Sequence, residues 1–143
     1  MSLTPEIIRE RTVNGDINSL KATELLTTLI DNSEDDSLRL KSLLTLQRLN
    51  LKNKNIYHLL ENLLISDENE EIRSFAGEIL ILSFSEVELK PILWAIENES
   101  SYSCLSSLIE SLGKSENYNH HKVLLSFFMN LLHRSMKKRD PHF

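Results

Sequence analysis

The sequence predicts an all-α protein in which about eight helices form a short α-solenoid. Leucine is abundant, whereas glycine and proline number three each, a composition that favours helices over strands. One passage also occurs twice. In residues 29–39 and again in 64–73, an apolar helix end is followed by an acidic turn, an aliphatic residue and an arginine that opens a second leucine-rich segment. Such a recurrence is typical of helical hairpins that stack on one another.

Capping residues and apolar spacing predict the first five helices. Thr4 and Pro5 form a typical helix start, and the Asn14-Gly15 pair is a typical stop. Acidic residues precede the third and fifth helices, where they can satisfy free backbone N–H groups and the helix dipole. We therefore interpret this acidity as capping rather than as an acidic binding site. The predicted helices span about 5–13, 19–31, 33–50, 54–65 and 69–83.

A proline affects the prediction of the sixth helix. Ser85-Glu86-Val87-Glu88 resembles a capping box, but Pro91 follows it, so the helix either bends at Pro91 or begins near Lys90. We prefer the later start, with an end around Asn98. Gly113 predicts the end of the seventh helix. The seventh and eighth helices are expected over about 101–112 and 119–136.

The predicted helices fit one domain over residues 1–143, because no Gly/Ser-rich linker or change of composition divides the chain. Helices two to seven pair into three hairpins, and the outer two helices are expected to cap the ends. The segments are 1–17 for the N-terminal cap, 18–50, 54–83 and 88–113 for the hairpins, 118–136 for the C-terminal cap and 137–143 for a flexible tail. The expected core comprises Leu25, Leu29, Leu46, Leu60, Leu63, Leu64, Ala76, Leu80, Leu93, Ile96, Leu108 and Leu112.

The repeated unit resembles HEAT-type repeats, in which helix A, an acidic turn and helix B recur every 30 to 50 residues or so, about the spacing seen here. The resemblance implies a structural ladder between a turn aspartate and an arginine early in helix B. Asp31 or Asp35 with Arg39, and Asp67 with Arg73, stand at those places. The third hairpin departs from the pattern, because Leu105 takes the place of the arginine. Armadillo and other α-helical solenoids remain alternatives.

The resemblance also implies a partner-binding surface on the helix B side, which lines the concave face of such stacks. Two leucines among its outward positions, Leu40 and Leu44, predict an apolar groove for a partner helix or peptide. Two alternatives stay open: helix one covers these leucines, or the third helix is rotated so that Lys41, Thr45 and Arg48 form its solvated face. The outward positions are Leu40, Leu44, Gln47, Ser74, Glu78 and Ile81.

The eighth helix carries apolar residues around more of its circumference than one packing face requires. One interpretation is a homodimer through residues 118–136. The other is that the seventh helix and its flanking loops bury the excess apolar surface.

Charge and hydropathy limit the partners and the cellular location that we expect for the protein. A net charge of −5 argues against a dedicated nucleic-acid binder. No apolar run approaches the roughly 20 residues of a membrane span, and the N-terminus lacks the apolar core of a secretory signal. We therefore expect a cytoplasmic protein without a membrane partner. The single cysteine, Cys104, is expected to be a small core residue.

No set of residues predicts catalysis, a metal or a cofactor. His120 and His121 are adjacent and His133 follows 12 residues later, so we interpret all three as solvated rather than as ligands of one metal. HEAT-like deoxyhypusine hydroxylases bind iron through His-Glu pairs, and no histidine here precedes a glutamate. We therefore expect a non-catalytic adaptor, scaffold or inhibitor. The alternative is an accessory subunit of a nucleic-acid-associated or enzyme complex that uses Lys41, Arg48, Lys52, Lys137, Lys138 and Arg139.

Overall fold

The structure, a computed structural model, describes residues 3–84 and 89–139, with the backbone alone at 89 and 137–139. Over these residues the chain forms eight helices and no strand, which confirms the predicted all-α class. None of these helices joins the length of a membrane span to the apolar character that such a span needs. The helices are α1 (Pro5–Val13), α2 (Ser19–Asn32), α3 (Asp36–Arg48), α4 (Lys54–Ser66), α5 (Glu70–Ser83), α6 (Leu89–Asn98), α7 (Tyr102–Lys114) and α8 (Tyr118–Arg139).

Short polar side chains define where the helices begin. The Thr4 hydroxyl accepts a hydrogen bond from the N–H of Ile7 at 3.2 Å, with Pro5 as the first helical residue, as the sequence predicts. Asp35 caps α3 through the N–H groups of Ser37 and Leu38. Asparagine or serine caps α2, α4, α5 and α7 in the same way. The acidic residues of the turns thus assist capping, but asparagine supplies the capping oxygen more often than a carboxylate does.

Several helix ends differ slightly from the prediction. α7 continues one residue past Gly113, and α8 continues to Arg139, so the first three residues of the predicted tail are helical. α6 is described from Leu89 onward and contains Pro91, so the preferred start near Lys90 stays a prediction. The predicted capping box at 85–88 and the end of the tail, 140–143, lie outside the described residues.

The contacts between helices follow two rows. α1, α3, α5 and α7 form one row in which each helix contacts the next, and α2, α4, α6 and α8 form the other. Contacts between α1 and α2, α2 and α3, α4 and α5, and α7 and α8 join the rows. The residues of α5 therefore have neighbours in α3, α4 and α7, and six of them are buried.

One continuous apolar core runs between the two rows. Nine of the twelve predicted core residues are buried, whereas Leu25, Leu29 and Leu93 are partly buried at its edge. The buried apolar residues of α2 are Ala22, Leu26 and Ile30. Leu26 and Ile30 each follow by one position the predicted core residues, Leu25 and Leu29. Isoleucine contributes more residues to the core than the prediction, which included only Ile96. Core residues outside the predicted set include Ile8, Leu26, Ile30, Leu43, Ile56, Ile72, Ile79 and Ile92.

Candidate interaction surface

The six residues predicted to form the partner-binding face do not form one surface. Ile81 is buried, with 2 % of its surface exposed, because α5 is enclosed by three other helices. The prediction that Ile81 faces outward is therefore wrong. Leu40, Leu44, Gln47, Ser74 and Glu78 are all half-buried, and Leu40 packs against the core.

Leu44 and Gln47 contribute to different features of α3. Leu44 lines a groove of about 330 Å³ whose other wall is α1. Gln47 lines a narrow crevice that continues to Ile79 and Phe84 at the end of α5. The arrangement agrees with the alternative in which the first helix covers this side of α3. The rotated alternative is wrong for Thr45, which is buried, although Lys41 and Arg48 are exposed.

The groove between α1 and α3, which we call the α1–α3 groove, combines an apolar floor with charged walls. Leu44 and Val13 provide apolar surface, and 70 % of the surface of Val13 is exposed. Three cationic side chains line it, two from α3 and one from α1, and two glutamates from α1 offset part of their charge. The charged lining consists of Arg9, Lys41, Arg48, Glu6 and Glu10. A peptide with an apolar side chain beside acidic residues matches this lining.

A chain of arginine–carboxylate contacts crosses the turns at the opposite ends of these helices. Arg39 contacts both carboxylate oxygens of Asp67, through Nη1 at 3.3 Å and through Nη2. Its Nε donates to the backbone carbonyl of Ile30 at 2.8 Å, and its Nη1 also reaches Asp36. The side chain thereby connects the end of α2, the start of α3 and the turn after α4.

Arg73 makes the equivalent contacts one hairpin further along. Its Nε and Nη2 donate to the two carboxylate oxygens of Glu99 at 3.0 and 2.9 Å, a bidentate pair. Its Nη1 donates to the backbone carbonyls of Asp67 and Glu68. We call the set Arg39, Asp67, Arg73 and Glu99 the arginine ladder.

The ladder partners differ from those that the sequence suggested. Asp31 is exposed and has no contact with Arg39 among the described hydrogen bonds and ion pairs, and Asp35 uses its carboxylate to cap α3. The carboxylate of Asp67 contacts Arg39 and not Arg73, which meets Asp67 through the backbone carbonyl. Each arginine therefore reaches forward to the following turn. Glu99, the carboxylate that pairs with Arg73, lies outside the predicted ladder.

The arginine ladder and its surroundings shift the pKa values of three acidic groups, those of Glu99, Asp36 and Cys104. Burial alone would raise the pKa of Glu99, but hydrogen bonds from Arg73 and from the N–H of Ser101 outweigh it and hold the pKa below its usual range. Hydrogen bonds from Asn69 and Arg39 lower the pKa of Asp36. Burial, with a smaller effect of Glu99, raises the pKa of the Cys104 thiol to about 12. Cys104 is buried as predicted and stays protonated, which makes it a poor nucleophile.

A polar cavity of about 600 Å³ lies beside the ladder, between α4, the α2–α3 turn and the α4–α5 turn. Two of its four carboxylates are used within the fold. Asp36 accepts from Arg39 and Asn69, and Asp67 accepts from Arg39 and from the N–H of Asn69. Within the part of the chain that the structure describes, no group of three or more His, Cys, Asp or Glu side chains is arranged to hold a metal ion.

The interpretation of all three histidines as solvated is wrong for His120. Its ring is fully buried, and its Nδ1 lies 2.5 Å from the hydroxyl of Ser115, while no hydrogen-bond partner is seen for its Nε2. Burial and the neighbouring His121 lower the pKa of His120. His121 is exposed but its Nε2 lies 2.6 Å from the Ser115 carbonyl. The turn into α8 is thus fixed by histidine contacts, and the buried Ser115–His120 pair is closed to a substrate.

The basic residues of the alternative function are divided among several places. Lys41 and Arg48 line the α1–α3 groove, whereas Lys52 lines the crevice at the end of α3. Lys137, Lys138 and Arg139 lie at the end of α8, where the structure describes the backbone.

α8 carries the largest group of exposed apolar side chains in the described residues. One face packs against α6 and α7 through Leu124 and Phe127. The alternative in which the seventh helix and its flanking loops bury the excess apolar surface is wrong for Phe128, Leu131 and Leu132, which are exposed. The other face remains in solvent. Its exposed apolar residues are Leu125, Phe128, Met129, Leu132 and Met136, and Leu131, which lies on the first face beyond Phe127, is exposed as well.

Comparison of the chain with protein-family models, with curated proteins and with solved structures finds no significant match.

Proposed function

We propose that this protein is a short stack of HEAT-like helical hairpins that binds another protein without catalysing a reaction, as an adaptor, scaffold or inhibitor. The stack is supported by the two rows of helix contacts, in which each hairpin touches the next. The arginine ladder supports it as well, because Arg39 and Arg73 occupy equivalent places 34 residues apart and each reaches the following turn. In this proposal α3, α5 and α7 are the B helices, and α1 precedes them in the same row.

The α1–α3 groove is the proposed contact with the partner. It lies in the row of B helices, where the sequence placed the binding face, but it is one helix closer to the N-terminus than predicted. The observation that carries the proposal is the apolar floor of Leu44 and Val13 beside the exposed cations of Lys41 and Arg48. Because apolar anchors supply affinity and charges at the rim supply orientation, we propose a partner segment with an aliphatic or aromatic anchor and acidic neighbours.

Paired variants test this proposal. Leu44→Ser removes the floor of the groove, Lys41→Glu reverses a charge on its rim, and Leu20→Ser is the matched control, because Leu20 is an equally apolar but exposed residue of α2. The partner is first identified by photo-crosslinking from position 44 in the cell of origin, and its affinity is then measured with purified components. We expect Leu44→Ser and Lys41→Glu each to weaken binding about tenfold or more, with Leu20→Ser unchanged.

The alternative, a nucleic-acid-associated subunit, is supported by the clustering of Arg9, Lys41 and Arg48 in one groove. The dependence of affinity on salt separates the two proposals. Phosphate contacts release counterions, so affinity for a nucleic acid falls steeply and linearly on a logarithmic scale as salt rises. A peptide held by an apolar anchor loses much less affinity over the same rise in salt. A steep salt slope that Leu44→Ser leaves unaltered would contradict the protein-binding proposal.

A further inference from the structure

α8 has two apolar faces on opposite sides. The first packs against α6 and α7, and its residues are buried or half-buried: His120, Val123, Leu124 and Phe127. The second, which we call the α8 stripe, consists of Leu125, Met129, Leu132 and Met136. Since an α-helix turns about 100° per residue, the centre of the stripe lies on the side of α8 facing away from the first face.

The α8 stripe has no cover among the described residues. The exposed fractions of Leu125, Leu132 and Met136 are 63, 59 and 67 %, and Phe128 flanks the stripe and is also exposed. Every side chain from Phe128 to Met136 is exposed, so this part of α8 extends beyond the body of the protein. Contiguous apolar surface of this kind marks a docking site more often than a solvated face.

The spacing of the stripe fits a helix as its occupant. Its four residues follow one another at intervals of four, three and four positions, which is the spacing of the apolar seam in a helix pair. Two turns of such a seam repeat every seven residues and accept the side chains of a facing helix between them. The side chains of a flat or extended partner would not pack between the stripe residues at this regular spacing.

The charge of α8 restricts the chemistry of that helix. Residues 118–139 contain five basic residues and no acidic one, whereas residues 1–117 hold 20 of the 21 acidic residues. Near the N-terminal end of the stripe, Lys122 is exposed and lies over the Tyr118 ring at 5.0 Å from its centre. Arg134 is also exposed, but a turn of about 100° per residue places it on the side of α8 away from the stripe. A helix that lies along the stripe thus meets Lys122 and no carboxylate of α8.

Two other occupants match this charge distribution poorly. A second copy of α8 would bring its own cations against those of the first copy, without any acidic residue on either helix to offset them. An anionic membrane surface attracts α8 but repels the acidic residues of the body on which α8 is held. An acidic helix satisfies both the apolar stripe and the charge.

We propose that the α8 stripe binds an acidic amphipathic helix of a partner protein. The site is separate from the α1–α3 groove and does not depend on the function proposed for that groove. In the bound state the partner's apolar residues pack between Leu125, Met129, Leu132 and Met136, and its carboxylates lie near Lys122.

A designed peptide provides the probe. It contains three heptads with leucine at the two seam positions and glutamate at the flanking ones, carries a fluorescent label and is used below the concentration at which it associates with itself. A second peptide has lysine in place of each glutamate, and a third has the acidic composition in scrambled order. Fluorescence anisotropy with the whole chain is expected to show at least about tenfold tighter binding of the acidic amphipathic peptide than of either control.

Variants of the chain locate the site. The double substitution Met129→Ser with Leu132→Ser is expected to weaken binding about tenfold or more, and Lys122→Glu several-fold, while Leu20→Ser leaves it unchanged. All four positions are exposed, so circular dichroism should show an unaltered fold. Equal binding of acidic and basic peptides, or binding that survives the double substitution, would overturn the proposal.

Two further results would assign the stripe to another occupant. A dimer in sedimentation equilibrium that the Met129→Ser and Leu132→Ser pair abolishes would assign it to a second copy of this chain. Binding to vesicles containing phosphatidylserine that the same pair abolishes would assign it to a membrane surface. Either result overturns the proposal of an acidic partner helix.

Discussion

At the scale of single residues, Arg39 and Arg73 use their guanidinium groups in the same way. Each pairs with a carboxylate of the following turn and also donates to a backbone carbonyl, and each is largely shielded from solvent. A planar group with five N–H donors can make these bonds at once, whereas a lysine ammonium has no such fork. The two arginines therefore fix the spacing between successive turns, which agrees with the structural role expected of them.

Glu99 provides a pH-dependent test of the ladder. Its pKa is lowered in the folded protein, so its contribution to stability is fully present above the ordinary pKa of a glutamate, about 4.3, and is lost as the pH falls through the lowered value. We expect Glu99→Gln to lower the free energy of unfolding by about 1–3 kcal/mol at pH 7 and by less near pH 3. Urea unfolding measured between pH 7 and pH 3 gives both quantities.

Glu97 is the matched control, because it is exposed, lies on the same stretch of chain and makes none of the described ion pairs. Glu97→Gln should change stability little at any pH. If Glu99→Gln and Glu97→Gln follow the same curve, Glu99 does not contribute the proposed link to Arg73.

At the scale of helices, the sequence was most informative where structure is local. Thr4 with Pro5, and the leucine spacing of α4, define helices through atoms a few residues apart, and those helices lie within two residues of their predicted bounds. Gly113 shows the limit, because α7 passes through it by one residue. Glycine permits a helix to end but does not require it.

Features that depend on how helices pack against each other were predicted less well. Ile81 appears outward on the helix considered alone, yet α7 and α3 enclose α5 from both sides. The partner of Arg73 is Glu99, 26 residues away, and the α1–α3 groove depends on where α1 lies. His120 looked polar and solvated in the sequence and is fully buried. Such facts follow from the arrangement of neighbouring helices, which a periodic pattern does not specify.

The contact between α5 and α7 depends on one glycine. A Cβ added to Gly77 would collide with Cδ2 of Leu108 and crowd Cδ1 of Leu64, both of which are buried. Alanine ordinarily stabilises a helix relative to glycine by about 0.5–1 kcal/mol, but here overpacking of about 1–3 kcal/mol opposes this gain. We expect Gly77→Ala to lower the free energy of unfolding by about 1 kcal/mol, as measured by thermal or urea unfolding.

Gly113 supplies the opposite case within the same pair of helices. It is helical and exposed, and the nearest atom to an added Cβ is Cδ2 of Leu124 at 3.8 Å, an ordinary contact. Gly113→Ala should therefore stabilise the protein by about 0.5–1 kcal/mol. A stabilising effect of both substitutions would show that α5 and α7 tolerate a wider separation than the structure describes.

At the scale of the whole molecule, burial is greatest in the middle of the chain and declines towards α8. α5 contributes Ile72, Ala76, Ile79, Leu80 and Ile81 to the core, whereas the last buried side chain of α8 in the described residues is Val123. Residues 1–117 hold 20 of the 21 acidic residues, whereas residues 118–139 hold five basic residues and no acidic one. The protein thus combines a well-packed centre with a last helix that exposes apolar and cationic side chains.

This gradient of burial predicts a gradient of local stability. Amides in α5 between Ala76 and Ile81 should exchange with solvent through global unfolding, because opening them exposes buried side chains. Amides between Phe128 and Met136 belong to a segment of α8 in which no side chain is buried, so they should exchange at least about a hundredfold faster. Native-state hydrogen exchange followed by mass spectrometry measures both segments in one experiment, with α4 as an internal reference for a well-buried helix. Similar protection in α5 and in the second half of α8 would mean that α8 unfolds only with the whole molecule, and the exposed stripe would then gain its stability from contacts other than those described.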